Sequence, residues 1–389
     1  MPIFQADYIF PISSKPIKNG VLKLDTNGKI EKVFSENNHP FEQGEIKKIK
    51  GILSPAFVNA HCHLELSHLK NKVSEKTGLN GFVRELQSIR NNFNDIKLEL
   101  IDKADQEMWE NGIQAVGDIC NSNDSFLTKT QSKIKYHNFI ELFGFFEHQA
   151  DKIIEQGEKL ALESENLNIP NSLVPHAPYS VSDLLFLKIK NFNKNLSVVS
   201  IHNQESAAEN EMFVHKSGKM LEALKQFGFD ENLFKTNGKS SIQNYFEKLA
   251  SDSSIILVHN TFTNENDLLF AQHLKPNIFW CFCPNANLYI ENRLPDFDIF
   301  LKNEVSICLG TDSLASNHQL SIWEEMKTIH QNKPNIAFET LLTWATLNGA
   351  KALKMENNLG SLEVGKNPGI IAFEGNLEHI FDAKLTRIS

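Results

Sequence analysis

The segment Val58-Asn-Ala-His61-Cys-His63-Leu-Glu65-Leu66 sets two imidazoles two positions apart at the end of an apolar run. On a strand, side chains at i and i+2 share a face, so His61 and His63 stand about 6.6 Å apart in rise and can converge on one ion. Four more segments repeat the design of a short β-prone run that ends in a reactive side chain. They are Ser-Leu-Val-Pro-His176, Val-Val-Ser-Ile-His202-Asn-Gln-Glu205, Ile-Ile-Leu-Val-His259 and Ser-Ile-Cys-Leu-Gly-Thr-Asp312. Neutral imidazoles with a carboxylate are a donor set for a divalent cation that leaves room for a water. A glutamate beside them adds a group able to carry protons.

Such residues need strands that run side by side and end together. Parallel strands buried on both faces read as continuous apolar runs, and in a parallel barrel their carboxyl ends open into a shared mouth. Eight runs qualify, centred on Phe57-Val58, Ala115-Val116, Phe139-Ile140, Leu173-Val174, Val198-Val199, Ile256-Leu257, Phe279-Trp280 and Cys308-Leu309. They alternate with helical stretches, which predicts an α/β fold, a (β/α)8 barrel of TIM type. The intervals 64–100 and 206–250 are long; insertions on the catalytic side of a barrel supply lids and substrate walls. Residues 1–52 carry Asn19-Gly20 and Asn27-Gly28 between β-type runs, and residues 355–389 have the same character. Both ends are expected to form one small β unit beside a barrel of residues 53–354.

Bulk properties narrow the class. A chain of 389 residues suits a barrel with insertions plus a minor unit. With 41% hydrophobic and 22% charged residues the composition is that of a soluble globular protein. No apolar run reaches a membrane span, and the first residues lack the order of a secretory signal, so a cytoplasmic location is expected. The net charge of −9 and the lack of a basic block argue against nucleic acid. The expected partners are a small-molecule substrate and, as an open alternative, a second copy in a homodimer. Cys62, Cys120, Cys281, Cys283 and Cys308 make no Cys-x-x-Cys pair and read as reduced thiols. Cys281 and Cys283 share a strand face but have no third soft ligand nearby, which favours packing over metal binding.

The ordered set His-x-His, His, His-x-x-Glu, His, Asp resembles the amidohydrolase superfamily, in its branch of cytosine, guanine and adenosine-type deaminases and chlorohydrolases. The likeness runs from Pro55-Ala-Phe-Val-Asn-Ala-His-Cys-His through Gly310-Thr-Asp-Ser to Leu359-Gly-Ser-Leu-Glu-Val-Gly-Lys. It implies a distorted (β/α)8 barrel beside a small β-sandwich made by both termini. It also implies that His61, His63, His202 and Asp312 ligate one divalent ion, with His259 against the attacking water. Zn²⁺ suits these donors best, and Fe²⁺ or Mn²⁺ also fit. Two-metal relatives carry a bridging lysine at the end of the fourth strand. Here that place reads Val174-Pro-His176-Ala-Pro-Tyr, which implies one metal and leaves His176 to face the substrate or to be tied down near Tyr179.

By the same resemblance Glu205 shuttles protons to a ring nitrogen, which implies a hydrolytic deaminase of an aminopurine nucleoside or related amino-heterocycle. Hydrolysis of another bond, as in a chlorohydrolase or cyclic amidohydrolase, and a non-catalytic purine-binding barrel remain alternatives. The stretch His63-Leu-Glu65-Leu-Ser67-His68-Leu with Gly81-Phe-Val is similar to aminodeoxyfutalosine deaminases. Glu65 could bind substrate or hold a metal ligand in place. After the seventh strand, Cys283-Pro-Asn285-Ala-Asn287 reads as a loop in which Asn287 could touch a purine edge and Asn285 makes a turn.

Overall fold

The computed structural model describes residues 1–389 except 37, 93–96, 194–197, 233, 251 and 276. The chain opens with strands β1 (Ile3–Ile9), β2 (Ile17–Lys18), β3 (Val21–Leu24), β4 (Ile30–Phe34) and β5 (Lys47–Pro55). With β14 (Ile370–Glu374) and β15 (Lys384–Arg387) they form a seven-stranded sheet ordered β15-β14-β5-β1-β3-β4, with β2 on β1. Both ends of the chain therefore meet in one sheet. Its core is apolar: Phe4, Ile9, Leu22, Leu24, Leu53, Ile370 and Ala372 pack together.

Strand β5 leads through Ala56 into β6 (Phe57–Cys62), the first of eight parallel strands. The others are β7 (Ile113–Cys120), β8 (Lys135–Leu142), β9 (Asn171–Pro175), β10 (Val198–Asn203), β11 (Ser254–His259), β12 (Ile278–Phe282) and β13 (Ile307–Leu309). Every pair of residues taken as a strand centre falls inside one of them. Strands β6, β7, β10 and β11 are buried at every residue, which is why they read as unbroken apolar runs instead of alternating ones.

The eight strands form two parallel four-stranded sheets, β6-β7-β8-β9 and β10-β11-β12-β13. The sheets touch at both edges, and at the carboxyl ends. His202 N donates to His176 O at 3.0 Å across the β9–β10 edge; Thr311 N and Asp312 N donate to His61 O at 3.0 and 3.1 Å across the other. A side chain at position 310 would force the second seam to shift, since a Cβ on Gly310 would lie 2.9 Å from the His61 carbonyl oxygen. These two seams bring His61 beside Asp312 and His176 beside His202.

Four of the helices that follow the strands start on polar caps. Ser182, Ser206, Asn264 and Ser321 each accept a hydrogen bond from the backbone amide three residues on, worth roughly 1 kcal/mol apiece. The two long intervals fold mainly as helices, including Gly78–Ile89 in the first and Ala207–His215 and Lys219–Gln226 in the second; residues 93–96 and 233 within them lie outside the described residues. Leu66, Leu69, Leu79 and Phe82 from the first pack with Met212, Met220 and Leu221 from the second, and with Tyr289 and Ile290. Because these intervals follow β6 and β10, their shared apolar cluster stands at the end of the molecule that carries the histidines. The segment after β12 is a helix, Pro284–Glu291, where a loop was expected. Pro284 occupies the first turn, where its missing N–H costs nothing.

Candidate active site

Four strand ends, those of β6, β10, β11 and β13, deliver their side chains to one place. One ligand atom each from His61, His202, His259 and Asp312 lies within 4.8 Å of the others. His63 joins them: its Nε2 is 3.2 Å from His61 Nε2 and 3.2 Å from Asp312 Oδ1, while His61 Nε2 is 3.5 Å from the same oxygen. All five are buried.

Hydrogen bonds at the back of two of the rings fix which of their nitrogens faces inward, while His61 Nδ1 is buried with no partner among the described residues. His202 Nδ1 donates to His176 O at 2.9 Å, and His259 Nδ1 donates to Asn287 Oδ1 at 3.0 Å. Each ring then turns a bare Nε2 to the centre. Burial lowers the pKa of all four imidazoles, which favours their neutral form. Burial also opposes charge on Asp312, but His61, His63 and His259 outweigh it and hold the carboxyl well below its ordinary value. Ser316 Oγ donates to its other oxygen at 2.5 Å. Neutral nitrogen lone pairs and a carboxylate oxygen this close, with few protons among them, form a donor set that a divalent cation completes.

Glu205 faces this cluster, its Oε1 3.6 Å from His259 Nε2. Burial, and then the charge of Asp312, push its pKa well above the usual carboxylate range. The following helix fixes its backbone: Glu209 accepts from Gln204 N at 3.0 Å and from Glu205 N at 3.2 Å. Strain gathers here. Gln204, His259, Asn260 and Asp312 all have positive φ, at 45°, 73°, 57° and 57°. For non-glycine residues that conformation is uncommon and persists where the surrounding structure enforces it.

His176 lies at the rim, partly exposed. Its Nδ1 is 2.7 Å from Glu141 Oε1, and its ring centroid is 4.7 Å from that of His202. Although its own burial opposes the proton, Glu141 raises the pKa of His176. Glu65 uses both oxygens on protein groups: Arg90 Nη2 donates to one at 2.7 Å, while Asn121 N, Ser122 N and Ser122 Oγ donate to the other at 3.0, 3.1 and 3.1 Å. The Asn287 amide is likewise engaged, accepting from His259 and donating Nδ2 to Thr261 Oγ1 at 2.9 Å. Asn285 makes no turn; in the first turn of its helix it donates N and Nδ2 to Glu325 at 2.9 and 3.0 Å.

Sequence reasoning missed three buried charged residues close to the site: Glu141 on β8, Asp118 on β7 and Lys129. A signal was present for the first two, since each is a lone carboxylate inside an apolar strand run, where charge is rare unless paired.

The sequence profile of the amidohydrolase family matches residues 52–388. The chain is 30% identical over 334 residues to an adenosine deaminase of Helicobacter pylori, covering 84% of this chain and 79% of the relative. It is 28% identical over 330 residues to an aminodeoxyfutalosine deaminase of Nitratiruptor sp., covering 81% and 77%. Among solved structures, an aminofutalosine deaminase of Helicobacter pylori in complex with methylthio-coformycin superposes with a TM-score of 0.85 at 22% identity over 100% of both chains.

Proposed function

This chain belongs to the amidohydrolase family, and we propose that it is a hydrolase that deaminates adenosine-type nucleosides, replacing the 6-amino group of the purine by oxygen. The observation that carries the reading is the meeting of His61, His63, His202 and Asp312 with Glu205 and His259 at strand ends far apart in sequence. Among nucleosides, adenosines altered at the 5′ position and aminodeoxyfutalosine are the substrates we assign first, in line with the activities named for the relatives.

We read the two parallel sheets, joined at both edges, as a distorted (β/α)8 barrel over residues 53–354. The terminal sheet is in this reading the small β-sandwich of residues 1–52 with 355–389. His61, His63, His202 and Asp312 would hold one divalent ion, zinc by preference. When bound, such an ion acidifies a water and stabilises charge at the carbon under attack.

The residues then divide the proton work. Asp312 takes a proton from the water as its oxygen bonds to C6, while His259, fixed by Asn287, orients that oxygen. Glu205 gives its proton to the neighbouring ring nitrogen, so the ring gains no net negative charge. The proton held by Asp312 passes to the amino group, the C–N bond breaks, and ammonia leaves. The remaining hydroxyl proton returns to Glu205 and the 6-oxo purine results. His176 faces the substrate from the rim, held by Glu141. We assign Glu65 and Asn287 to holding the site's framework, because their polar atoms are occupied by protein groups.

The test is ammonia release from adenosine, 5′-deoxyadenosine, 5′-methylthioadenosine and aminodeoxyfutalosine by zinc-loaded protein. Glu205→Gln is expected to lower turnover on the order of 10²–10⁴-fold with zinc retained. No ammonia from any of the four, or full activity in Glu205→Gln, would refute the reading.

A further inference from the structure

The backbone that carries His61 and His63 is poorly held by its own sheet. The β6–β7 ladder changes register between Asn59 and Cys62, and Cys62 is paired with Asp118. His63 itself has left the strand, with φ −125° and ψ 77°, and no side chain of its own caps the 3-10 turn Leu64–Leu69 that follows. The seam hydrogen bonds reach only as far as His61 and Cys62, and beyond them a side chain takes over. Asp118 Oδ1 accepts from Leu64 N at 2.8 Å, the amide directly after His63.

Asp118 is fully buried, and so is its counter-ion: Lys129 Nζ lies 2.6 Å from Asp118 Oδ2, and both side chains are 0% exposed. The remaining protons of the ammonium go to Asn138 Oδ1 at 2.7 Å and Cys120 Sγ at 3.1 Å. A buried ion pair is poor value as a stabiliser, since well-packed apolar residues in its place are often neutral or better. Its retention calls for another role, and the geometry offers one. Lys129 takes one oxygen of Asp118 and leaves the other turned to the peptide that sets the direction of His63.

We propose that Asp118 and Lys129 are positioning residues for the metal ligand His63, acting through the Leu64 amide. This rests on the assignment of His63 as a ligand, made under the proposed function. Preorganising contacts of this kind typically govern metal affinity by about 10–100-fold.

The test compares zinc affinity by chelator competition, well below the melting temperature, in the whole chain and four variants. Asp118→Leu/Lys129→Met removes the pair and the acceptor. Asp118→Asn/Lys129→Met removes both charges but keeps an oxygen for the Leu64 amide. Expected are zinc binding about 10–100-fold weaker for the first, with a melting temperature near that of the unaltered chain, and within about threefold for the second. Asp118→Asn alone, which strands Lys129, should lose melting temperature more than zinc affinity. Unchanged affinity in Asp118→Leu/Lys129→Met, or equal losses in the two double variants, overturns the proposal. His63→Ala is the control: if it binds zinc as the unaltered chain does, the ligand assignment falls and the proposal with it, whereas a weak His63→Ala beside an unchanged Asp118→Leu/Lys129→Met overturns the proposal alone. Should Asp118→Leu/Lys129→Met not fold, hydrogen–deuterium exchange of the Leu64 amide in the unaltered chain decides. Slow exchange is expected, and exchange at the rate of an unstructured peptide overturns the proposal.

Discussion

Strand β8 carries two buried ionisable side chains on one face, His137 near its start and Glu141 near its end, with Phe139 between them. The two ends of the strand treat their charges differently. His137 is buried against Ser172 Oγ at 3.0 Å and meets no carboxylate among the described residues, so burial drives its pKa down to about 4. Glu141 is buried too, but His176 and then His202 outweigh the cost and hold its pKa well below the ordinary value. Around Phe139 the interior is apolar, with Ala115, Val174, Val198 and Ile256. A buried histidine is thus no sign of chemistry by itself. At the amino ends burial silences a side chain, whereas at the carboxyl ends several convergent groups keep one another chemically poised.

The contrast can be broken at four places, from the largest expected effect to the smallest. Asp312→Ala should lower turnover on the order of 10²–10⁴-fold and weaken zinc binding. Steady-state kinetics on folded protein checks this, and near-normal turnover would remove Asp312 from the centre. Phe139→Ala should cost about 3–5 kcal/mol of stability in denaturant unfolding, because it empties a fully buried ring site. Its turnover per folded molecule should change far less than that of Asp312→Ala; equal losses would mean that the two ends are not separable.

The third place is His137. Its folded pKa lies below the ordinary value of 6.5, so the unfolded chain takes up the proton first. Its contribution to stability is complete above pH 6.5 and lost as pH falls from 6.5 toward 4, about 3 kcal/mol in all. His137→Gln should flatten the acid limb of the unfolding midpoint by an amount of that order, and an unchanged limb would contradict the burial argument. Last, Glu141→Gln leaves His176 without its carboxylate. It should reduce kcat/KM by about 10–100-fold, carried mainly by KM if His176 faces the substrate; an effect on kcat alone would point to His202 instead.

Much of this site was legible because strand chemistry is local. An apolar run ending in His202 or His259 declares both its burial and its carboxyl end, and the i, i+2 spacing of His61 and His63 gives a shared face. The strand centres followed from the same runs. What stayed hidden depends on partners distant in sequence. Glu65 looked free because Arg90, Asn121 and Ser122 come from elsewhere in the chain, and the pairing of Asp118 with Lys129 needs the fold to bring β7 against the helix Phe126–Gln131. The helix Pro284–Glu291 was read as a loop because its asparagines favour turns in isolation, an inclination that burial and contacts with Glu325 and His259 override. The order of strands in the terminal sheet, with β5 between β14 and β1, is set by pairings that no single run displays.

The central claim is that one divalent ion sits among His61, His63, His202 and Asp312. Elemental analysis of zinc-loaded, desalted protein tests it most directly when two buried histidines are compared. The account predicts one zinc per chain in the unaltered protein and in His137→Gln, with most of it lost in folded His202→Ala. Zinc retained in full by His202→Ala, or none taken up by the unaltered chain, would contradict it.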